Sequence, residues 1–395
     1  MSAFVPHSSS SPSHAKPSGA DVLVIGGGFH GLSSALHLAR AGARVTVLEA
    51  EYCGRHASGV NAGGVRTLGR HVAEIPLSLA SLELWHQLPD LVGDSGGFMP
   101  SGQLKVAETE AELEMLRARV ADLNRRGFHH EALIDAATVR ELLPAVAPHV
   151  TGGIWCERDG HALPFRAVTA FRRAAQRLGV TVLENTRAET VRRVGERWEV
   201  TTLRQHFTAE YVVNAAGAWA STFAREVGEA VPEEPVALLL TITQRVPAFC
   251  SPVVGAAGRP LSFKQFDNGT VLIGGGVRGS VDMHARCGEV NFAQLATNVR
   301  TAVSLFPHLR DVGINRTWAG IEGFMPDGIP VISPSRMMPK LVHAFGYCGH
   351  GFELAPIVGR IIAQLITSGS STLPVEPFAI DRFGAMAEGG EARVA

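Results

Sequence analysis

Asp21-Val-Leu-Val-Ile25-Gly26-Gly27-Gly28-Phe29-His30-Gly31 is the stretch that decides the fold. Val22 to Ile25 form a continuous apolar run, the pattern of a parallel strand buried on both faces. Gly26, Gly28 and Gly31 then fall in G-x-G-x-x-G spacing. Gly26 permits a tight turn, Gly28 lets backbone approach a pyrophosphate, and Gly31 lets a helix pack on the strand. Phe29 and His30 begin that helix, whose first-turn N–H groups and positive dipole end favour phosphate. The helix runs to about Arg40, Gly42 ends it, and Arg44 to Leu48 form the next strand. Glu49-Ala50 closes the βαβ unit. Glu49 stands where an acid hydrogen-bonds ribose hydroxyls and disfavours a 2′-phosphate. A glycine turn that merely packs is the competing reading, and Glu49 argues against it.

The whole chain fits this beginning. Its 395 residues suggest two or three domains. Lys and Arg total 36 against 37 Asp and Glu, and 46% of residues are apolar. That balance leaves no basic footprint for nucleic acid and excludes global disorder. No run approaches the ~20 apolar residues that span a bilayer, so no transmembrane segment is expected. Five scattered Cys without a CxxC pair predict no metal or iron–sulfur centre and fit a reducing cytoplasm. Residues 1–19, rich in Ser, Pro and His, read as a disordered leader, and residues 384–395 as a flexible tail.

Further along, Thr109 with Glu112 opens a helix on Leu113, Leu116, Val120 and Leu123, and Thr138 with Glu141 repeats the start signal. A helix is expected over 167–178, and strands at 181–183, around 198–200 and at 211–213. From about 228 the chain becomes β-branched and strand-like at 236–246 and 270–273, with 253–269 broken by Gly and Pro. Residues 291–306 read as an amphipathic helix on Phe292, Leu295, Val299, Val303 and Phe306. A strand at 341–345, a glycine turn and a helix to about Thr367 return to α/β character.

G-x-G-x-x-G alone does not separate NAD from FAD; the later motifs do. These are Arg55-His-Ala-Ser58-Gly59-Val-Asn61-Ala62-Gly63-Gly64, Val212-Val-Asn-Ala-Ala216-Gly217, Pro326-Asp327-Gly328 and Gly346-Tyr347-Cys348-Gly349-His350-Gly351-Phe352. As a set, covering about 21 to 378, they resemble the FAD-dependent D-amino-acid oxidase superfamily, with its glycine and sarcosine oxidases. The Gly349-His-Gly-Phe-Glu353-Leu-Ala-Pro run looks most like the β subunits of sarcosine oxidases, D-hydroxyproline dehydrogenases and opine oxidases.

The resemblance implies a Rossmann-like α/β FAD-binding domain assembled from 20–85, 150–225 and 325–383. An α+β substrate domain with a mixed, largely antiparallel sheet is inserted as 86–149 and 226–324. It places Ser58, Asn61, Ala62, Gly63 and Gly64 along the pyrophosphate and flavin, Ala188 at the adenine, and Ala216 and Gly217 near the ribityl and phosphate. Gly349, His350, Gly351, Phe352 and Glu353 would face the flavin pyrimidine. Arg66 is the candidate carboxylate clamp, with a structural ion pair as its alternative. Tyr347 and His350 flank the substrate, Trp318 and Phe324 wall it, and Lys264 and Arg278 read as solvated charges.

The function implied is oxidation of the CH–NH bond of a D-amino acid, sarcosine, hydroxyproline or opine by hydride transfer to flavin N5. Monomeric sarcosine oxidases carry a flavin-linked Cys where Gly320 stands, so non-covalent FAD is expected. They place an oxygen-activating Lys where Leu272 stands, which favours a dehydrogenase passing electrons to another acceptor or to a partner chain. Heterotetrameric relatives also link FMN to a His near 161–168, where His161 stands in poor register; FMN at an interface between chains is the corresponding expectation. A peroxide-forming oxidase and a non-catalytic relay component of a larger complex are the competing readings.

Overall fold

The structure, a computed structural model, describes residues 18–383. The expected leader up to residue 17 and the tail from 384 lie outside the described residues. Ser18–Gly19, expected in the leader, instead form a short strand parallel to His206–Ala209. That strand edges a four-stranded sheet completed by Arg197–Thr201 and Thr190–Val194, with Trp198 fully buried.

Two larger sheets position the site. The first has six strands in the order Val331–Pro334, Leu341–Phe345, Tyr211–Asn214, Val22–Ile25, Val45–Leu48, Thr181–Leu183. All its neighbours are parallel except the antiparallel pair 331–334 with 341–345. Val22 to Val24 are essentially inaccessible, as a strand covered on both faces requires. Helix Phe29–Arg40 packs against helices Gly351–Thr367 and Pro164–Arg177, and Ile75–His86 packs on 351–367. Phe29, Trp85, Phe171 and Phe352 interlock in this core through edge and tilted ring contacts.

The second sheet has ten strands and is largely antiparallel. The long strand Glu234–Arg245 pairs with Thr270–Gly274, Arg278–Asp282 and Ile314–Phe324. The pair Val253–Ala256 with Gln103–Ala107 is parallel. Strands 253–256 and 262–265 arise inside the stretch read as Gly/Pro-broken, because the punctuation at Gly258 and Pro260 makes the turn between them. Gly152–Cys156, grouped by sequence with the nucleotide-binding segments, pairs with Gln103–Ala107 and Ala132–Asp135 in this sheet.

Three helix expectations shift. Helix Glu110–Arg125 starts as expected, with the Thr109 hydroxyl accepting from the Glu112 N–H. Glu112 reaches back to the Glu108 N–H rather than to its own cap. Helix Ala136–Leu142 is capped by Asp135, which accepts from Thr138 N–H and so moves the start three residues upstream. Helix Phe292–Leu305 buries Asn298, Thr301, Ala302 and Leu305; of the expected stripe Phe306 is buried just past its end, while Phe292 is 77% exposed. Asn298 turns inward because its amide donates to the Gly274 carbonyl.

Candidate active site

A long groove runs over the edge of the six-stranded sheet. At one end it is lined by Gly26, Gly28, Phe29, Glu49, Ala50, Ser58, Asn61 and Ala188. Ala216 and Gly217 lie along it, and Glu322, Gly323, Gly346, Tyr347, Gly351 and Phe352 line the other end. Two helices, 29–40 and 351–367, thus present their N-termini to one groove. That is an electrostatic setting for anionic groups.

The glycine loop is built as its spacing requires. A Cβ on Gly31 would lie 2.0 Å from the Gly26 carbonyl oxygen, so Gly31 serves helix–strand contact and does not reach the groove. Gly28 faces the groove, and its Cβ would meet only Ser58 Oγ at 3.1 Å. Ser58 Oγ accepts from Phe29 N–H at 2.9 Å. Glu49 Oε2 accepts from Gly27 N–H at 2.7 Å, and Oε1 accepts from Glu51 N–H at 2.9 Å. Burial raises the Glu49 pKa, and these two amides oppose the rise.

The second glycine stretch turns beside the groove. Asn61 lines it and accepts from Gly63 N–H, while Gly64 pairs with His161 in a two-residue ladder. Ala62 is held from the other side by Lys264, whose ammonium donates to the Ala62 carbonyl. Lys264 is therefore not a solvated charge: it is 3% exposed, and burial lowers its pKa to about 7. Composition could not show this, because strand 262–265, buried on both faces from Phe263 to Gln265, is hidden within the Gly/Pro-broken stretch.

At the far end, the His30 and Tyr347 rings stack at 3.6 Å, and burial lowers the His30 pKa to about 3. His30 Nε2 and the Tyr347 hydroxyl have no hydrogen-bond partner among the described residues. His350 lies behind the groove wall with Nδ1 on Glu74 at 3.0 Å; burial brings its pKa to about 4 despite that carboxylate. Glu353 does not face the groove. It is sealed against Arg70 at 2.8 Å and the Ser78 hydroxyl at 3.1 Å, because the first turn of helix 351–367 points it at helix 75–86. Gly349 stands beside Glu322. Arg66 also stands outside the groove lining. One of its guanidinium nitrogens donates to the Leu68 carbonyl at 2.6 Å, and burial, then nearby Arg70, lowers its pKa to about 10. Trp318 donates to the Val60 carbonyl, tying the large sheet to the groove.

The residues fit an adenine dinucleotide. An unobstructed glycine approach sits at one helix N-terminus, an acid stands after the second strand, and three unpartnered buried polar atoms belong to groove residues. Among the described residues no group of three or more His, Cys, Asp or Glu could hold a metal ion, and no helix is long and apolar enough to cross a membrane.

Fold and groove together define a dinucleotide-dependent protein with a second sheet closing one end of its binding site. The family model of FAD dependent oxidoreductases, DAO, matches residues 21–365, and the chain belongs to that family. It is therefore an FAD-dependent oxidoreductase. It is 29% identical over 377 residues to one of the component chains of the opine oxidase of Rhizobium meliloti, covering 92% of this chain and 98% of that one. It is 27% identical over 372 residues to the beta chain of the sarcosine oxidase of Rhizobium meliloti (strain 1021), covering 92% and 88%. The crystal structure of L-proline dehydrogenase from P. horikoshii superposes with a TM-score of 0.87 at 28% identity, covering 94% of this chain and 99% of that one.

Glu49→Gln offers one carbonyl oxygen where two backbone amides converge on the carboxylate expected to receive the ribose. FAD affinity is expected to fall by roughly 10–150-fold, the equivalent of about 1.5–3 kcal/mol for a charge-assisted bond. Fluorimetric titration of apoprotein measures it, and unchanged affinity would remove Glu49 from the cofactor site. Glu233, beside Gly323, is raised from 4.5 to about 7 by burial, with Ser221 opposing. A folded pKa above the unfolded one means that this carboxyl favours folding below 4.5 and loses that contribution as pH rises through about 7. Glu233→Gln should therefore gain thermal stability relative to wild type between about pH 5 and 8. Parallel melting curves would contradict it.

Proposed function

We propose that this enzyme oxidises the CH–NH bond of an amino acid or N-substituted amino acid and delivers the electrons to an acceptor other than oxygen. The observation that carries the reading is the groove itself: its Tyr347–Phe352 end opens onto a sheet face bearing buried polar groups, in a chain similar along its length to proteins named for sarcosine, opines and L-proline. Bound FAD supplies the two-electron acceptor. The chain must supply orientation. Arg66, with donors left beyond the Leu68 carbonyl, is proposed to hold the substrate carboxylate. The unpartnered Tyr347 hydroxyl is proposed to donate to the same group, and His350, neutral and tied to Glu74, to fix the turn that carries Tyr347.

The FAD is proposed to be non-covalent. A Cβ at Gly320 would lie 2.6 Å from Val60 Cγ2, so packing leaves no room for a linking side chain there. Two of the similar proteins are named as subunits, which supports a hetero-oligomer in which a partner accepts the electrons or carries an FMN. A cytoplasmic location is proposed from the five free thiols, four of them buried.

One observation favours the oxygen-using alternative. Leu272 is directly opposite Lys264 across the ladder, so a buried amine stands on the same sheet face one strand away. A single experiment decides between them. Under anaerobic conditions an amine substrate should bleach the yellow protein, and air should restore the colour slowly while an artificial dye or quinone restores it fast. Rapid peroxide formation that Lys264→Met abolishes would establish the oxidase. Protein that no amine bleaches would reject both.

A further inference from the structure

Buried carboxylates in this protein are nearly all paired. Asp159 takes the Thr67 and Leu68 amides and the Thr67 hydroxyl. Glu131 holds Arg119, Glu229 holds His343 and Ser335, Glu74 holds His350, and Glu353 holds Arg70. Glu322, a half-buried carboxylate, departs from this rule. It projects from strand Ile314–Phe324, opposite Val236, and lines the groove beside Gly323, Gly346 and Tyr347. Its Oε2 is buried without a hydrogen-bond partner, and it joins none of the ion pairs among the described residues. Gly349 stands beside it, a Cβ built there lying 3.8 Å from Oε2, and Leu238 shares its sheet face.

We infer that Glu322 is the substrate-binding residue that receives the amino group, pairing with the ammonium form and taking its proton before oxidation. This rests on the reading of the chain as an amine-oxidising enzyme. A carboxylate with no cationic partner in a mostly apolar groove is costly and calls for a cationic or N–H-donating ligand. A carboxylate or phosphate there would be repelled. Oxidation of a carbon bearing an amine requires the nitrogen lone pair, so the ammonium must lose a proton inside the closed site. In that step one N–H bond breaks and one O–H bond forms on Glu322. The +1 and −1 charges become a neutral amine and a neutral acid, and nothing is oxidised or reduced. Burial supports this role, because it raises Glu322 to about 7 against the opposing Gly349 amide and so leaves it able to exist in either form near neutrality. Arg66 and Tyr347 would hold the carboxylate of the same substrate, which separates the two ends of a zwitterion onto opposite charges.

The test compares FAD-loaded wild type with Glu322→Gln and Glu322→Asp. Sarcosine, L-proline, glycine and iminodiacetate are titrated anaerobically by flavin bleaching. Methylthioacetate, with sulfur in place of the amine, is titrated by its perturbation of the flavin spectrum. Glu322→Gln should keep wild-type FAD content and bind methylthioacetate within about twofold of wild type, while the half-saturating amine concentration rises at least about tenfold. Glu322→Asp, which retains the acid one methylene further back, should fall between the two and reports even where the Gln variant folds poorly. Equal losses for the amine and the thioether, or no loss for the amine, would overturn the assignment. Loss of FAD from the Gln variant would overturn it too, assigning Glu322 to a cofactor N–H instead. A wild type that none of the amines bleaches would fail the functional reading itself, a result visible before any variant is compared.

Discussion

Gly31→Ala is expected to yield no soluble flavin-bearing protein, whereas Gly28→Ala, three residues earlier, is expected to fold and purify colourless. Both substitutions add one methyl group to the same loop, and the outcome depends on what that methyl meets. At Gly31 it would lie 2.0 Å from the Gly26 carbonyl oxygen and 3.2 Å from Val24 Cγ1, on backbone and core that cannot swing away. Relief requires helix 29–40 to lift from strand 22–25, which breaks the packing of that helix on two others. Overpacking a core against side chains costs about 1–3 kcal/mol, and contact with backbone at this distance exceeds that range. Gly28 has φ −71 and ψ 176, open to any residue, and its Cβ would touch only the rotatable Ser58 hydroxyl at 3.1 Å. The methyl instead fills the approach a pyrophosphate needs. Soluble yield, far-ultraviolet circular dichroism and the ratio of flavin to protein absorbance measure both variants. A yellow Gly28→Ala protein would remove this loop from the cofactor site.

That contrast shows what is legible in the sequence. The βαβ unit can be read because its period, its glycine spacing and Glu49 are all local, set within thirty residues of one another. Helix 351–367 and strand 341–345 are legible for the same reason. The large sheet is not. Its order depends on pairings such as 253–256 with 103–107, which no local pattern encodes. The buried face of helix 292–305 differs from its apolar stripe because a polar residue, Asn298, is turned inward by a carbonyl on a distant strand. Hydrophobic periodicity reports what would be buried if only apolar groups were, so a satisfied buried amide defeats it.

The site divides along the same line. The glycines of the turn and the acid expected at the ribose are recognisable because the chemistry dictates the residue type. Lys264 and Glu322 are charged residues on strands, and from sequence alone such residues read as surface. Their inward placement follows from the packing of the large sheet against the glycine stretch and the groove, where Lys264 meets the Ala62 carbonyl and Glu322 lines the wall. Glu353 is legible as part of a motif, but its direction is not: a residue one position past the groove wall on a helix points about 100° away from its neighbour. Here that turn sends it into the interior toward Arg70.

The Arg70–Glu353 pair therefore carries the second large expectation: Arg70→Met should destabilise the protein by about 3–5 kcal/mol, the range for leaving one member of a buried pair uncompensated. The side chains are 1% and 0% exposed, so water cannot replace the lost guanidinium. Arg70 also ties the loop together, since its Nε donates to the Arg66 carbonyl and its own carbonyl accepts from Arg119. Arg70→Met/Glu353→Leu removes both charges and should recover most of the loss, because an apolar pair of similar volume needs no partner. The dependence on pH has a definite sign. Burial raises Glu353 above its ordinary 4.5, and removing Arg70 raises it further. Burial holds Glu353 at about 8 even beside Arg70, so both proteins lose its contribution alike as pH climbs from 4.5. The Arg70→Met deficit should therefore stay level to about pH 8 and grow above it, where only the wild type readily ionises the carboxyl. Urea unfolding at several pH values, with and without FAD, measures this. A deficit independent of pH, or one that the double substitution leaves in place, would mean that Arg70 acts through packing and its two backbone contacts rather than through its charge.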